Sequence, residues 1–220
     1  MQATLIIVAL WLVFAGSHMA LSATPVRTRL VAALGEWPFR GVYSLVSFAT
    51  FIPLVSVYFQ NKHAGTVFWT VPQTPAVIAL LYCGNAVAFV LIAGGYLSPS
   101  PAMVGMTRVR HRPIHDLTRH PLFMGIGLWG LMHLAPNGFA SDIAFFGGFV
   151  LFAVIGSWHQ DARLAKTRGD EYRQFLRDTP FIPLTGKHTL RGLKSFSLRA
   201  LAIGIAAAAM IRYFHTAWFG

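Results

Sequence analysis

Cysteine is almost absent. A single one, Cys83, occurs in 220 residues, which excludes an internal disulfide and any cysteine-based metal cluster. Charge is scarce as well: 11% of the residues are charged, against about a quarter in a soluble globule. A water-facing shell cannot be assembled from so few. Acid is rarest of all. Glu36, Asp116, Asp142, Asp161, Asp170, Glu171 and Asp178 are the only acidic side chains, and all lie at or near loop boundaries. Proton pumping through a mid-membrane carboxylate is therefore not expected. G-x-G-x-x-G, Walker, G-x-S-x-G and H-E-x-x-H sequences are missing too, which removes the common signatures of soluble nucleotide, hydrolase and zinc chemistry.

What is present is hydrocarbon. Hydrophobic residues make up 55% of the chain, with 18 Phe and 6 Trp. Six apolar segments are read at Ala3–Leu21, Val42–Phe59, Pro75–Leu97, Pro121–Pro136, Asp142–Trp158 and Leu198–His215. Crossing a bilayer takes about 20 residues, so an all-α polytopic membrane bundle of about six transmembrane helices is expected. It forms one membrane domain over 1–220, with a polar segment at 159–197 and an extra C-terminal helix at 198–215. The fourth and fifth segments are short, and the turn residues of PNGFAS (136–141) predict a tight helical hairpin between them. DARLAKTRGDEYRQFLRD (161–178) predicts a polar helix pair broken at Gly169 and ended by PFIPL at 180–184.

The net charge of +11 could suggest nucleic acid, but its distribution follows the segments instead. Arg27, Arg29 and Arg40 lie in the first loop, and Arg108, Arg110, Arg112 and Arg119 in the third. The fifth connection holds nine more, and only Lys62 and Arg212 fall on the other side. Positive-inside bias places loops one, three and five in the cytoplasm and both termini outside. The expected partner is the lipid bilayer, with no nucleic acid. The first segment has no positive n-region, so it is expected to be a retained helix rather than a cleaved signal.

Nine histidines are unevenly placed. His18 and His133 are the two most deeply set in apolar sequence, where an imidazole needs a partner. On helical faces, His133 aligns with Leu122, Ile126, Trp129 and Gly130, and His18 with Trp11, Phe14 and Ala15. An imidazole beside flat aromatics and a small residue suits a haem with axial histidines, and suits ordinary helix packing nearly as well. The loop HRPIHDLTRH (111–120) allows a metal reading through His111, His115, His120 and Asp116. Its arginines fit lipid head groups, a phosphate or a carboxylate equally.

Longer motifs add a resemblance. ALWLVFAGSHMALSATPVRTRL, followed by RGVYSLVSFATF, resembles the NnrU family of bacterial membrane proteins. TRHPLFMGIGLWGLMHLAPNG through GSWHQDARLAKTRGDEYRQFLRDTPFIP is similar to that family and to the plant and cyanobacterial 15-cis-zeta-carotene isomerases. The likeness covers 1–184. It implies haem b held by two axial histidines: S-H-M-A-L gives His18, and G-L-M-H gives His133. The isomerases' cysteine three residues before the second ligand is Gly130 here, so a switch on that thiol cannot operate. A further family histidine falls near Lys62 or His63. Should His18 and His133 differ in depth, His18 with His120 is the fallback pair. The implied activity is haem-dependent cis-trans isomerisation of a polyene or, in a denitrifying setting, binding of nitric oxide, in the bacterial inner membrane.

A second resemblance rests on R-H-P (119–121), the hairpin and the G-x-x-Y ending at Tyr172. It is to isoprenylcysteine carboxyl methyltransferases, and it implies S-adenosylmethionine bound through Arg119, His120, Glu171, Tyr172 and Arg173, with Asp161 at the family's acidic position. A cofactor-free assembly protein, in which the histidines merely pack, is the third expectation.

Overall fold

The computed structural model describes residues 1–103, 106 and 108–219. Helix accounts for 76% of it. The helices are α1 (Gln2–Ser22), α2 (Thr24–Leu34), α3 (Glu36–Gln60), α4 (Pro75–Leu97), α5 (Pro121–Leu134), α6 (Ala140–Thr167), α7 (Gly169–Asp178), α8 (Thr189–Lys194) and α9 (Leu198–Phe219). A 3-10 turn covers Pro113–Asp116, and two short strands, β1 (Val67–Thr70) and β2 (Asn137–Phe139), complete the described elements. Helices α1, α3, α4, α6 and α9 are each long and apolar enough to cross a membrane. With 14 residues, α5 spans about 21 Å, short of the ~30 Å hydrocarbon core. The chain is a multi-pass membrane protein built almost wholly of helix.

Local chemistry sets the boundaries. Gly35 ends α2 at φ 85° and Gly169 separates α6 from α7 at φ 62°, conformations open mainly to glycine. Before α4, the Thr74 hydroxyl accepts the Val77 N–H at 3.3 Å and Pro75 occupies the first turn, a position where its missing N–H costs nothing.

Two expectations need correction. The fifth segment does not stop at Trp158: α6 has 28 residues and continues through Asp161 to Thr167. The first half of the polar helix pair is thus the end of a spanning helix, because Asp161 and Leu164 are buried there and the helix has reason to persist. PNGFAS is also more than a turn. Asn137–Phe139 pairs antiparallel with Val67–Thr70, with a register irregularity between Val67 and Thr70. Any Cβ at Gly138 would strike the Trp69 backbone, so the glycine admits the neighbouring strand.

The chain divides into two compact units, Met1–Val71 with His133–Phe152, and Pro72–Met132 with Ala153–Gly220. The first contains α1, α2, α3, the β1–β2 ribbon and the opening turns of α6. Its core is Ile7, Trp11, Phe14, Phe39, Leu54, Tyr58, Phe145 and Phe146. In the second, close approach at small residues brings helices together. Gly125 of α5 abuts the Ala88 carbonyl of α4, and Gly204 of α9 abuts the Val90 backbone. Below them a core of Ala102, Leu164, Tyr172 and Phe175 joins α6 to α7.

Candidate functional site

In the first unit His18, near the end of α1, sits among rings: Tyr43 at 4.7 Å, Phe152 at 5.3 Å and Phe14 at 5.5 Å between centroids. Its Nδ1 lies 3.3 Å from the Ser47 hydroxyl. That hydroxyl donates its own proton to the Tyr43 carbonyl at 2.8 Å, so towards His18 it can only accept. With the proton on Nδ1 this contact is a hydrogen bond to Ser47, the arrangement in which a partner on one ring nitrogen orients a metal-ligating imidazole. Tyr43 completes the loop by donating its hydroxyl to the His18 carbonyl at 3.3 Å.

His133 is the penultimate residue of α5. Its ring stacks on Phe146 at 5.0 Å, and its carbonyl accepts the Asn137 side-chain amide at 2.8 Å. Both imidazoles thus rest on α6, at Phe152 and at Phe146. Those positions are about 9 Å apart along the helix axis at 1.5 Å per residue, so the two rings meet α6 at different heights. Between them is a layer of aromatics: Trp11 edge-on to Phe149 at 4.9 Å, and Phe14 tilted against Phe51 at 5.1 Å and against Phe152 at 5.2 Å. Trp11 is anchored by its indole N–H on the Phe145 carbonyl at 3.1 Å. For haem, the donor types fit: two imidazoles, one oriented by Ser47, at the two ends of an aromatic layer.

Near that layer is a cluster that sequence reading did not single out. Asp142, fully buried in the first turn of α6, accepts the Tyr58 hydroxyl at 2.9 Å on Oδ1. The His63 Nδ1 lies 2.8 Å from its Oδ2. A carboxylate there also suits the helix N-terminus. His63 takes φ 53° and keeps its imidazole half-exposed. Tyr58 stacks on Phe145 at 3.8 Å. The signal available was an acid at a helix start, and that alone does not name its partners.

In the second unit, Arg119 and His120 converge on one carboxylate. Asp161 accepts Arg119 Nε at 2.8 Å, the Tyr172 hydroxyl at 2.7 Å, and has His120 Nε2 at 2.9 Å. Arg119 also donates to the Thr179 carbonyl at 2.8 Å and lies 5.1 Å over Phe181. Burial, then the Asp161 charge, raises the Tyr172 hydroxyl above its ordinary range, so it stays a donor. Glu171 and Arg173 are exposed on α7, where Arg173 pairs with Asp170 at 2.9 Å. The five residues of the methyltransferase resemblance therefore split: three close on Asp161 and two face outward. His120, the fallback ligand, has its Nε2 engaged by Asp161.

The histidines of loop 111–120 also part company. His111 Nε2 contacts Asp116 at 3.0 Å, His120 faces Asp161, and His115 accepts the Arg112 N–H on Nδ1 at 3.1 Å. Among the described residues no group of three or more His, Cys, Asp or Glu could hold a metal ion. Asp116 receives Arg191 Nε at 2.8 Å and Nη2 at 2.9 Å. Burial by itself would raise its pKa, but Arg191 and the charge of His111 outweigh that and hold it below the usual carboxylate range. Burial, followed by the charge of His111, pushes the His115 imidazole down to about 4.

Comparison with known proteins agrees on one kinship. A family model described as "NnrU protein" matches residues 6–220. The chain is 24% identical over 180 residues to "15-cis-zeta-carotene isomerase, chloroplastic" of Arabidopsis thaliana, covering 78% of this chain and 47% of that protein. The Zea mays protein of the same name is 22% identical over 186 residues, covering 81% and 49%. The chain spans about half the length of these curated relatives. No solved structure matches.

Proposed function

Since the chain belongs to the NnrU family, we propose that it is a haem-b-binding protein of the bacterial inner membrane, in which His18 and His133 would hold the haem. Loops one, three and five face the cytoplasm and both termini face outward. The reading is isomerase-like: cis-trans isomerisation of a polyene, following the activity in the names of the plant relatives. Nitric oxide is the alternative small ligand. Bound haem supplies a redox-active iron that can take a ligand directly when reduced.

The chain's own residues have distinct tasks. Ser47, within 3.3 Å of the His18 Nδ1, orients that imidazole. Trp11, Phe14, Phe51, Phe149 and Phe152 provide an apolar, water-excluding bed for a flat hydrocarbon. His133, at the end of a short helix and with its carbonyl on the Asn137 side-chain amide, would be the second residue to hold the haem. The observation that carries this reading is the Ser47–His18 pair, in which a hydroxyl on Nδ1 orients an imidazole set among aromatic rings. Because the two imidazoles rest about 9 Å apart along α6 with rings packed between them, holding one haem would require Trp11 and Phe149 to part. Methyl transfer is not adopted, because Arg119, His120 and Tyr172 already satisfy one another through Asp161.

The test is the absorption spectrum of protein purified from haem-replete cells. A Soret band is expected, lost or shifted in His18→Ala and in His133→Ala and unchanged in His188→Ala. A colourless preparation overturns haem. A red preparation that leaves a cis polyene unconverted under reducing conditions overturns the isomerase reading alone.

A further inference from the structure

The connection from the Asp161 hub to the last spanning helix has a composition unlike the other loops. Residues 181–199 read FIPLTGKHTLRGLKSFSLR and contain four cations, Lys187, Arg191, Lys194 and Arg199, with no carboxylate. Interleaved with them, Ile182, Leu184, Leu190, Leu193 and Leu198 are exposed, Leu190 by 73% and Leu198 by 79%. All but Leu198 lie outside the five candidate spans, so hydrocarbon crossing does not account for them. Leu184 even adopts φ 67°, a conformation that a bulky residue takes only when its surroundings impose it.

Three contacts fix this segment's level. Phe196 reaches within 3.5 Å of a Cβ placed on Gly94, one turn inside the end of α4 at Leu97. Gly192 of α8 fits against Asp116 and Pro113, with room for nothing larger, and Arg191 is tied to the buried Asp116. Directly after Ser197 the chain enters α9. α8 is seated on the 3-10 turn and Phe196 just after it meets the last turn of α4, so the segment adjoins the ends of two helices long enough to span, the level at which head groups would lie.

We propose that residues 182–199 form an interfacial foot that lies on the bilayer and binds anionic phospholipid, with the leucines among the acyl chains and Lys187, Lys194 and Arg199 on the phosphates. Aliphatic side chains alternating with cations at the surface are what such docking requires, and each cation near an anionic leaflet strengthens it. Arg191, tied to Asp116, is the cation of the segment whose charge is already paired. The foot is independent of the haem reading.

Spin labels placed singly at residues 190 and 193, by Leu→Cys in a Cys83→Ala background, report depth in nanodiscs. With phosphatidylglycerol present, both labels should be more accessible to oxygen than to a water-soluble nickel chelate. A label at Gln174 on α7 serves as the aqueous reference. Lys187→Gln with Lys194→Gln, or discs of phosphatidylcholine alone, should move the labels toward the reference. Charge removal should weaken docking about fivefold per lysine at low salt. Nickel accessibility at 190 and 193 equal to that at 174 in phosphatidylglycerol discs overturns the proposal; that result is also what a surface reserved for a protein partner or a second copy would give. Deep labels indifferent to both lysines and lipid charge overturn it equally.

Discussion

At the scale of single residues, Asp161 decides more than any other side chain in the second unit. It holds Arg119, His120 and Tyr172 together, and Arg119 continues to the Thr179 carbonyl. Asp161→Ala leaves an arginine largely buried without its counter-charge, which costs about 3–5 kcal/mol. Tyr172→Phe removes one hydrogen bond to a charged group and costs about 1.5–3 kcal/mol. Thermal melts in detergent should rank them in that order, and equal melts would remove the hub from this account. His115 gives a pH signature. Its folded-state pKa, about 4 against an ordinary 6.5, means that the unfolded chain takes up a proton the folded chain refuses. Stability should then fall as pH drops from 6.5 to 4 and level off on that account below. Asp116, held low, adds its own loss only as pH falls below the ordinary 3.8. His115→Phe should flatten the first window and leave the second. Ser47→Ala should weaken haem binding by about 10–100-fold, the usual effect of losing a partner behind a ligating histidine, as read by haem titration.

At the scale of elements, packing distinguishes glycines that are required from glycines that are incidental. Gly204 on α9 faces the Val90 backbone, which cannot step aside, whereas a Cβ at Gly147 on α6 meets nothing within 4 Å. Gly204→Val should destabilise by about 1–3 kcal/mol or more, as overpacking does. Gly147→Ala should be neutral or stabilise by up to about 1 kcal/mol through helix propensity. A melting series separates the two, and reversed signs would show the α4–α9 contact to be misassigned. The sequence announced these helices because twenty-residue apolar runs are unambiguous, and the α6–α7 break because Gly169 stands in a polar helix. Other features were hidden. β1 is four residues, VFWT, too few to show alternation, and Asp161 and Asp142 meet partners 41 and 79 positions away. His18 was visible because an imidazole in hydrocarbon is conspicuous; Ser47, which orients it, was not, since a serine in a membrane helix is commonplace.

For the whole molecule, the distribution of arginine and lysine makes an orientation prediction. Cysteines introduced at Lys187 and at Arg110 should react with an impermeant thiol reagent only from the cytoplasmic side, and one at Lys62 only from the periplasm. Labelling at 62 and 187 from the same side would invert or break the topology. A last consequence comes from α5. It stops after about 21 Å, and beyond it the Ala135 carbonyl is taken by the Trp69 indole at 3.0 Å while Asn137 caps His133. The protein thus closes off its own backbone above the helix end, where lipid could offer no hydrogen bonds. Acyl chains beside α5 would have less apolar wall to match, which a thinner leaflet accommodates. The protein should consequently melt higher in fourteen-carbon than in twenty-carbon phosphatidylcholine, and would gather in the thinner patches of a mixed bilayer.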